Sequence, residues 1–265
     1  MANSNLGLLR VLDFEGTMAT AEQAVLILGG TSEIGRATAL VFAQNHWTVR
    51  LAGRALSELQ READDISVRT GCEVTVHAFD ALDTNSFAGF ADALPSLPDV
   101  VVSVVGLLGD QPRAEVDPDH AKEVMRSNYE GPALILALFA DRFLARGYGS
   151  IVGISSVAGD RGRGSNYVYG SAKAAFSAFL SGLRNRLAID RSFHVMTVKP
   201  GFVRTKMTEH MKLPPILTAT PTEVGDAVFK GFCRRSDVIY VRSVWFFVML
   251  IIRLVPERVF KRLKF

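Results

Sequence analysis

Tyr169 and Lys173 stand four positions apart in Tyr169-Gly170-Ser171-Ala172-Lys173, at the start of a stretch with helical patterning. That spacing puts a phenol and an ammonium on one helix face. A neighbouring cation favours the phenolate, so a tyrosine that ordinarily titrates at about 10 is drawn toward the range useful for general acid or base work. Tyr167, the competing phenol, has Ser171 four residues on, so only Tyr169 has the lysine. A second signal lies near the start of the chain. An apolar run leads into Gly29-Gly30-Thr31-Ser32-Glu33-Ile34-Gly35 and then a helical pattern, as in a turn whose backbone approaches a pyrophosphate at a helix N-terminus. Nineteen residues beyond Gly35, where an acidic residue would bind a ribose 2'-hydroxyl, the chain has Gly53-Arg54. A guanidinium suits a 2'-phosphate, which leans the cofactor choice from NADH toward NADPH. Each signal alone has a bland alternative: a solvated helix face, a tight loop, a solvated arginine.

Other side chains offer less. His46, His77, His120, His194 and His210 are scattered without metal-ligand spacing, so no metal is implied. Gly153-Ile154-Ser155-Ser156-Val157 has valine where a nucleophile elbow needs glycine, and no acid and histidine pair is placed to activate the serine. A serine hydrolase is disfavoured. Cys72 and Cys233 form no framework, which suits a reducing cytoplasmic compartment.

A phosphate-binding turn and a helix-borne tyrosine need a framework of alternating strands and helices, and the patterning supplies one. Apolar, β-rich runs at Ala24 to Leu28, Val49 to Ala52, Val74 to Ala78, Val100 to Val105, Ser150 to Ile154, His194 to Val198 and Val238 to Val241 predict strands buried on both faces. Helical patterns lie between them, among them Ile34 to Asn45, Leu56 to Thr70, Pro118 to Arg146 and Tyr169 to Asp190. Seven strands alternating with helices predict an α/β fold, a single Rossmann-type doubly wound parallel sheet with helices on both faces. The 265 residues, 48% hydrophobic and 22% charged, exclude disordered and collagen-like classes, and no apolar run is long enough to span a bilayer. Residues 1–17 read as a loose extension, with Met18 an alternative natural start. Residues 18–241 read as the dinucleotide-binding catalytic domain and 242–265 as an apolar and basic tail.

From Val25 to Val241 the ensemble resembles the short-chain dehydrogenase/reductase family. Ile154-Ser155-Ser156-Val157-Ala158-Gly159 is similar to the strand that carries the family's serine, with Ser156 thirteen residues before Tyr169. Asn128, in Ser127-Asn128-Tyr129-Glu130-Gly131, matches the asparagine of the family's tetrad. The resemblance implies a catalytic set of Asn128, Ser156, Tyr169 and Lys173, with Lys173 lowering the tyrosine pKa and binding the nicotinamide ribose, and Asn128 supporting it through a bent helix and a water. It implies that the cofactor meets Gly29, Thr31, Ser32, Ile34 and Gly35, then Arg54, Asp80, Ala81 and Gly106. The nicotinamide end meets Tyr169, Lys173, Pro200, Val203 and Thr205, the last reaching the carboxamide. Two departures stand out. Glu33 replaces a usual glycine and is expected to bring a carboxylate near the pyrophosphate, and Ser103-Val104-Val105-Gly106 replaces the familiar Asn-Asn-Ala-Gly.

Leu28 to Gly35, Gly106-Leu107-Leu108-Gly109-Asp110 and the basic aromatic C-terminus resemble, more narrowly, the decaprenylphosphoryl-2-keto-ribose reductases. These form the second component of an epimerase that makes a lipid-linked arabinose donor, a cell wall precursor. That resemblance implies a polyprenylphosphoryl 2-keto-pentose as substrate and a flavin oxidase as partner. The family resemblance implies a homodimer or homotetramer paired through the long helices. A general carbonyl or 3-oxoacyl reductase of lipid metabolism remains an alternative, and so does a non-catalytic nucleotide-sensing regulator. The apolar segment Lys206 to Thr220 reads either as a lid for a greasy ligand or as surface packed on the domain or a partner subunit.

Charge is unevenly spread. From Lys230 onward nine Lys or Arg stand against Asp237 and Glu257, although the whole chain has a net charge of only +3, too little to suggest nucleic acid as a partner. Val244 to Ile252 is an apolar run followed by Glu257 to Phe265, with basic residues and Val259, Phe260 and Leu263 at helical spacing. The pattern predicts a helix lying in a membrane interface, peripheral at the inner face of the cell membrane. The competing reading packs the apolar run against the sheet edge or a partner.

Overall fold

The structure, a computed structural model, describes residues 23–209 and 212–263. The extension predicted over residues 1–17, Met18, His210, Met211 and the last two residues lie outside the described residues. Seven strands, β1 (Ala24–Leu28), β2 (Thr48–Gly53), β3 (Val74–Ala78), β4 (Val100–Ser103), β5 (Gly149–Ile154), β6 (Phe193–Pro200) and β9 (Val238–Val241), form one parallel sheet in the order β3-β2-β1-β4-β5-β6-β9. Two short strands, β7 (Phe202–Val203) and β8 (Thr218–Ala219), pair beyond the carboxyl end of β6.

The central strands are buried on both faces because successive side chains supply two cores. Val25, Ile27, Val49, Leu51, Val100 and Val102 face one core with α1 (Glu33–Gln44), α2 (Leu56–Thr70) and α8 (Pro221–Cys233). Leu26, Leu28, Val101, Ile151 and Val195 face the other, with α3 (Phe87–Asp92), α6 (Gly131–Arg146) and α7 (Tyr167–Leu187). Two small helices, α4 (Gln111–Val116) and α5 (Pro118–Met125), follow β4, and α9 (Val244–Leu254) and α10 (Glu257–Phe260) follow β9. The strand order reverses between β1 and β4, the place where an open parallel sheet leaves a crevice at its carboxyl ends.

Two expectations are revised. β4 stops at Ser103 rather than Val105, and the predicted helix over Pro118 to Arg146 is interrupted by a π turn at Arg126–Glu130 between α5 and α6. That turn carries Asn128, which is fully buried.

Candidate active site

The crevice is two clefts that meet at Val104 and Gly106. The first, of about 770 Å³, is lined by Gly29, Thr31, Ser32, Arg54, Asp80 and Ala81, all predicted as cofactor contacts. Ser32 caps α1: its hydroxyl donates to Gly29 O at 2.8 Å and accepts from Gly35 N at 3.0 Å, so it stiffens the turn from within. Gly29 has φ +90°, open to glycine, and a Cβ on Gly35 would stand 2.4 Å from Gly29 O. Gly35 thus shapes the turn and is absent from the cleft lining. Asp80 accepts from Leu82 N at 2.9 Å, and exposed Arg54 reaches the cleft from the end of β2.

Glu33 behaves differently from expectation. Its carboxylate accepts from Lys206 N at 3.0 Å instead of projecting to the place of a pyrophosphate. The first turn of α1 therefore holds the start of the segment after β7.

The second cleft, about 900 Å³, gathers Ile34, Gly106, Ser156, Tyr169, Lys173, Pro200, Val203 and Thr205. Ser155 and Ser156 diverge because neighbouring residues of an extended strand point to opposite sides. The Ser155 hydroxyl bonds Lys173 O at 3.0 Å and Ser177 Oγ at 2.7 Å, pinning α7 to β5, whereas Ser156 hydrogen-bonds the Tyr169 phenol. Lys173 Nζ donates to Ile154 O at 3.1 Å and lies 5.9 Å from the Tyr169 ring centroid. Asn128 donates to Leu107 O at 2.6 Å and Val124 O at 2.8 Å and accepts from Leu107 N at 3.3 Å, so it clamps the Gly106–Leu107 backbone rather than touching Lys173. A Cβ on Gly106 would stand 2.9 Å from Asn128 Oδ1 and 3.3 Å from Lys173 Nζ. Glycine there leaves a cradle that a larger residue would fill, which fits a flat ring and ribose passing from one cleft to the other.

Burial is the largest influence on both Tyr169 and Lys173. Burial pushes the Tyr169 phenol up, while its hydrogen bond with Ser156 and then the charge of Arg163 pull it down. The cation expected to do this was Lys173, but burial itself depresses that lysine to about 7.

A short chain dehydrogenase family model matches residues 23–214. The chain belongs to the short-chain dehydrogenase family. It is accordingly an oxidoreductase, and it is 35% identical to an uncharacterized oxidoreductase from the mprA 5' region of Streptomyces coelicolor, over 91% of this chain and 96% of that one. Among solved structures, a 3-oxoacyl-[acyl-carrier protein] reductase from Brucella melitensis with bound NAD is similar at 25% identity and TM-score 0.74, covering 83% of this chain and 89% of that one. A short-chain dehydrogenase from Sphingobium yanoikuyae in complex with NADPH shares the fold, with TM-score 0.75, 22% identity and coverage of 89% and 97%.

This short-chain dehydrogenase builds the outer wall of its cleft from residues that sequence reasoning missed. Trp245, at the start of α9, is buried, lines the cleft beside Phe202 and Met207, and donates from Nε1 to Leu217 O at 2.9 Å. A Cβ on Gly201 would lie 1.9 Å from Trp245 Cε2, so glycine at 201 admits the indole. Arg161 holds the end of α9, donating to Ile252 O at 2.8 Å and Val255 O at 2.6 Å, and stacks on Phe260 at 3.9 Å. Phe260 is therefore buried in protein, which corrects the expectation that it faces a membrane with Val259 and Leu263. Arg163 and Asn166 also line the cleft, and neither stood out in a glycine-rich loop. The only signal was a second arginine six residues before Tyr169.

Proposed function

We propose that the chain reduces a ketone to an alcohol with NADPH or NADH, and that the ketone is the 2-keto group of a polyprenylphosphoryl pentose. The observation that carries the reading is the convergence of Ser156, Tyr169 and Lys173 on one cleft whose outer wall is the apolar group Phe202, Met207 and Trp245. The dinucleotide would lie along Thr31, Arg54, Asp80 and Gly106, with Lys173 holding its ribose and Thr205 its carboxamide. When bound, the reduced nicotinamide supplies the hydride. Tyr169 gives its phenolic proton to the carbonyl oxygen as charge develops there, and the Ser156 hydroxyl holds that oxygen. Burial, which raises the Tyr169 pKa, keeps the proton in place until it is needed. Asn128 keeps the Gly106–Leu107 backbone in position for both.

A lipid-linked substrate is supported by the outer face of α9. Phe246, Phe247, Leu250, Ile251, Arg253 and Leu254 are all exposed on the same helix whose Trp245 lines the cleft, and exposed Arg258 and Lys261 follow in and after α10. We assign this face to an anionic membrane surface, with the cleft mouth beside it. A 2-keto-pentose arises by oxidation of the parent alcohol, which would place the chain after a flavin oxidase. A homodimer or homotetramer through α6 and its neighbours is part of the proposal, supported by exposed Met125, Tyr129 and Leu134.

The deciding assay supplies a polyprenylphosphoryl 2-keto-pentose with NADH or NADPH and follows loss of the reduced dinucleotide. Faster turnover of a 3-oxoacyl thioester would favour a general lipid-metabolism reductase. For the membrane, Phe247→Ser combined with Ile251→Ser is expected to abolish co-sedimentation with anionic liposomes at low salt. Unchanged partitioning would overturn that part.

A further inference from the structure

The loop between β5 and α7 carries two arginines with opposite fates. Arg161 is fully engaged, with backbone carbonyls, Glu257 and the Phe260 ring all on its guanidinium. Arg163, two residues on, faces the cleft that holds Ser156 and Tyr169. Its Nε is buried and has no hydrogen-bond partner, and among the described residues no carboxylate pairs with it. Beside it in the same cleft, the side-chain oxygen of Asn166 is likewise buried and without a donor. The loop fixes both positions through its own backbone: Asn166 N donates to Arg163 O at 3.1 Å and Gly170 N to Asn166 O at 2.8 Å.

A guanidinium cannot shed its proton at any ordinary pH, so burying one of its donors without a partner is costly. Buried polar groups almost always find partners, and two such groups that converge on one pocket next to the reacting residues are matched by a ligand. The cleft also holds Ser156, Tyr169, Thr205 and Thr208, yet none of them hydrogen-bonds Arg163 Nε or Asn166 Oδ1. Arginine is the side chain best shaped to meet phosphate oxygens with paired donors.

We propose that Arg163 and Asn166 form the subsite for the phosphate ester of the ketone substrate, the guanidinium pairing with a phosphate oxygen and the Asn166 amide oxygen accepting from a sugar hydroxyl. The inference rests on the ketone-reductase reading of this cleft, and it adds which residues hold the phosphate that reading gives the substrate. It also joins recognition to chemistry, because Arg163 is the charge that acts on Tyr169. Phosphate bound there offsets that charge and favours the protonated phenol, the form that reduction requires.

The test compares three substrates with wild type, Arg163→Met, Arg163→Lys and Asn166→Ala: a polyprenylphosphoryl 2-keto-pentose, a soluble 2-keto-pentose 1-phosphate, and the neutral 2-keto-pentose methyl glycoside. The readout is the ratio of kcat/KM for each phosphate ester to that for the neutral ketone. Removing one partner of a desolvated charge pair leaves the other charge buried and unpaired, so Arg163→Met is expected to lower the ratio about 100-fold. Arg163→Lys restores part of it, and Asn166→Ala lowers kcat/KM for all three sugars about 10-fold. Dinucleotide affinity, measured by fluorescence titration, reports whether each variant is folded. Equal losses for charged and neutral ketones with Arg163→Met, or none, overturn the subsite. If wild type binds dinucleotide yet reduces none of the three, the ketone-reductase reading for these sugars fails instead. A loss confined to the polyprenyl substrate shows that lipid is read by this loop and phosphate is not, which also overturns the proposal.

Discussion

The Glu33 carboxylate accepts a hydrogen bond from the backbone N–H of Lys206 at 3.0 Å, across 173 positions of sequence. It joins the glycine-rich turn before α1 to the segment that borders the second cleft, where Met207 and Thr208 follow directly. Removing the acceptor in Glu33→Ala is expected to speed hydrogen exchange of the Lys206 amide by about tenfold or more, because hydrogen bonds to charged groups contribute about 1.5–3 kcal/mol. Exchange measured by mass spectrometry on peptides spanning 202–209 checks this. Unchanged exchange would mean that Thr205 and Thr208, which bond one another, hold the segment unaided.

Tyr169→Phe deletes the proton donor and keeps the ring. Ketone reduction is expected to fall by at least about 100-fold while dinucleotide affinity is retained. Steady-state rates and a fluorescence titration on the same preparation separate the two. Near-normal turnover would rule Tyr169 out as the acid.

Arg54 follows β2 at the rim of the first cleft, exposed, and among the described residues no carboxylate forms an ion pair with it. Arg54→Ala is expected to weaken NADPH at least fivefold and leave NADH nearly unchanged, since the surface attraction to a 2'-phosphate is worth about 1 kcal/mol. Dissociation constants for both dinucleotides check it, and equal losses would remove Arg54 from 2'-phosphate recognition.

Lys173 gives a pH signature without any substrate. Its folded pKa is lowered from 10.5 to about 7, so in between the unfolded chain holds a proton that the folded chain lacks. Stability of the dinucleotide-free protein from this group therefore rises with pH above about 7, by up to about 1.4 kcal/mol per pH unit. Urea unfolding at pH 7, 8 and 9 reads the slope. Lys173→Met should flatten it, and an identical slope in both proteins would contradict a depressed lysine.

The sheet was legible because its strands are continuous apolar runs bounded by turns, and the doubly wound order followed from their alternation with helices. Tyr169, Ser156 and Lys173 were legible for a similar reason: they lie close together in sequence on one strand and the next helix. What stayed hidden depends on distance or on a single backbone step. A π turn at Asn128 adds one residue without disturbing the apolar period, so α5 and α6 read as one helix. Trp245 and Arg163 are remote from each other in sequence and share a cleft only after β9 takes its place at the sheet edge. Phe260 read as outward because periodicity cannot anticipate an arginine from residue 161 lying over its ring.

Trp245 is one of two tryptophans, and the other, Trp47, packs edge-on against Phe42 and Phe232 beneath α1 and α8. One indole thus senses the interior and the other the wall of the ketone cleft. In a Trp47→Phe background the remaining emission comes from the wall alone, and a ketone seated there changes the polarity around it. The nicotinamide end of a dinucleotide would enter the same cleft, so the protein saturated with dinucleotide sets the baseline. The substrate side of this molecule thus carries its own optical probe, and the further change on adding an unlabelled ketone to the dinucleotide-saturated protein times the arrival of the ketone by stopped-flow fluorescence.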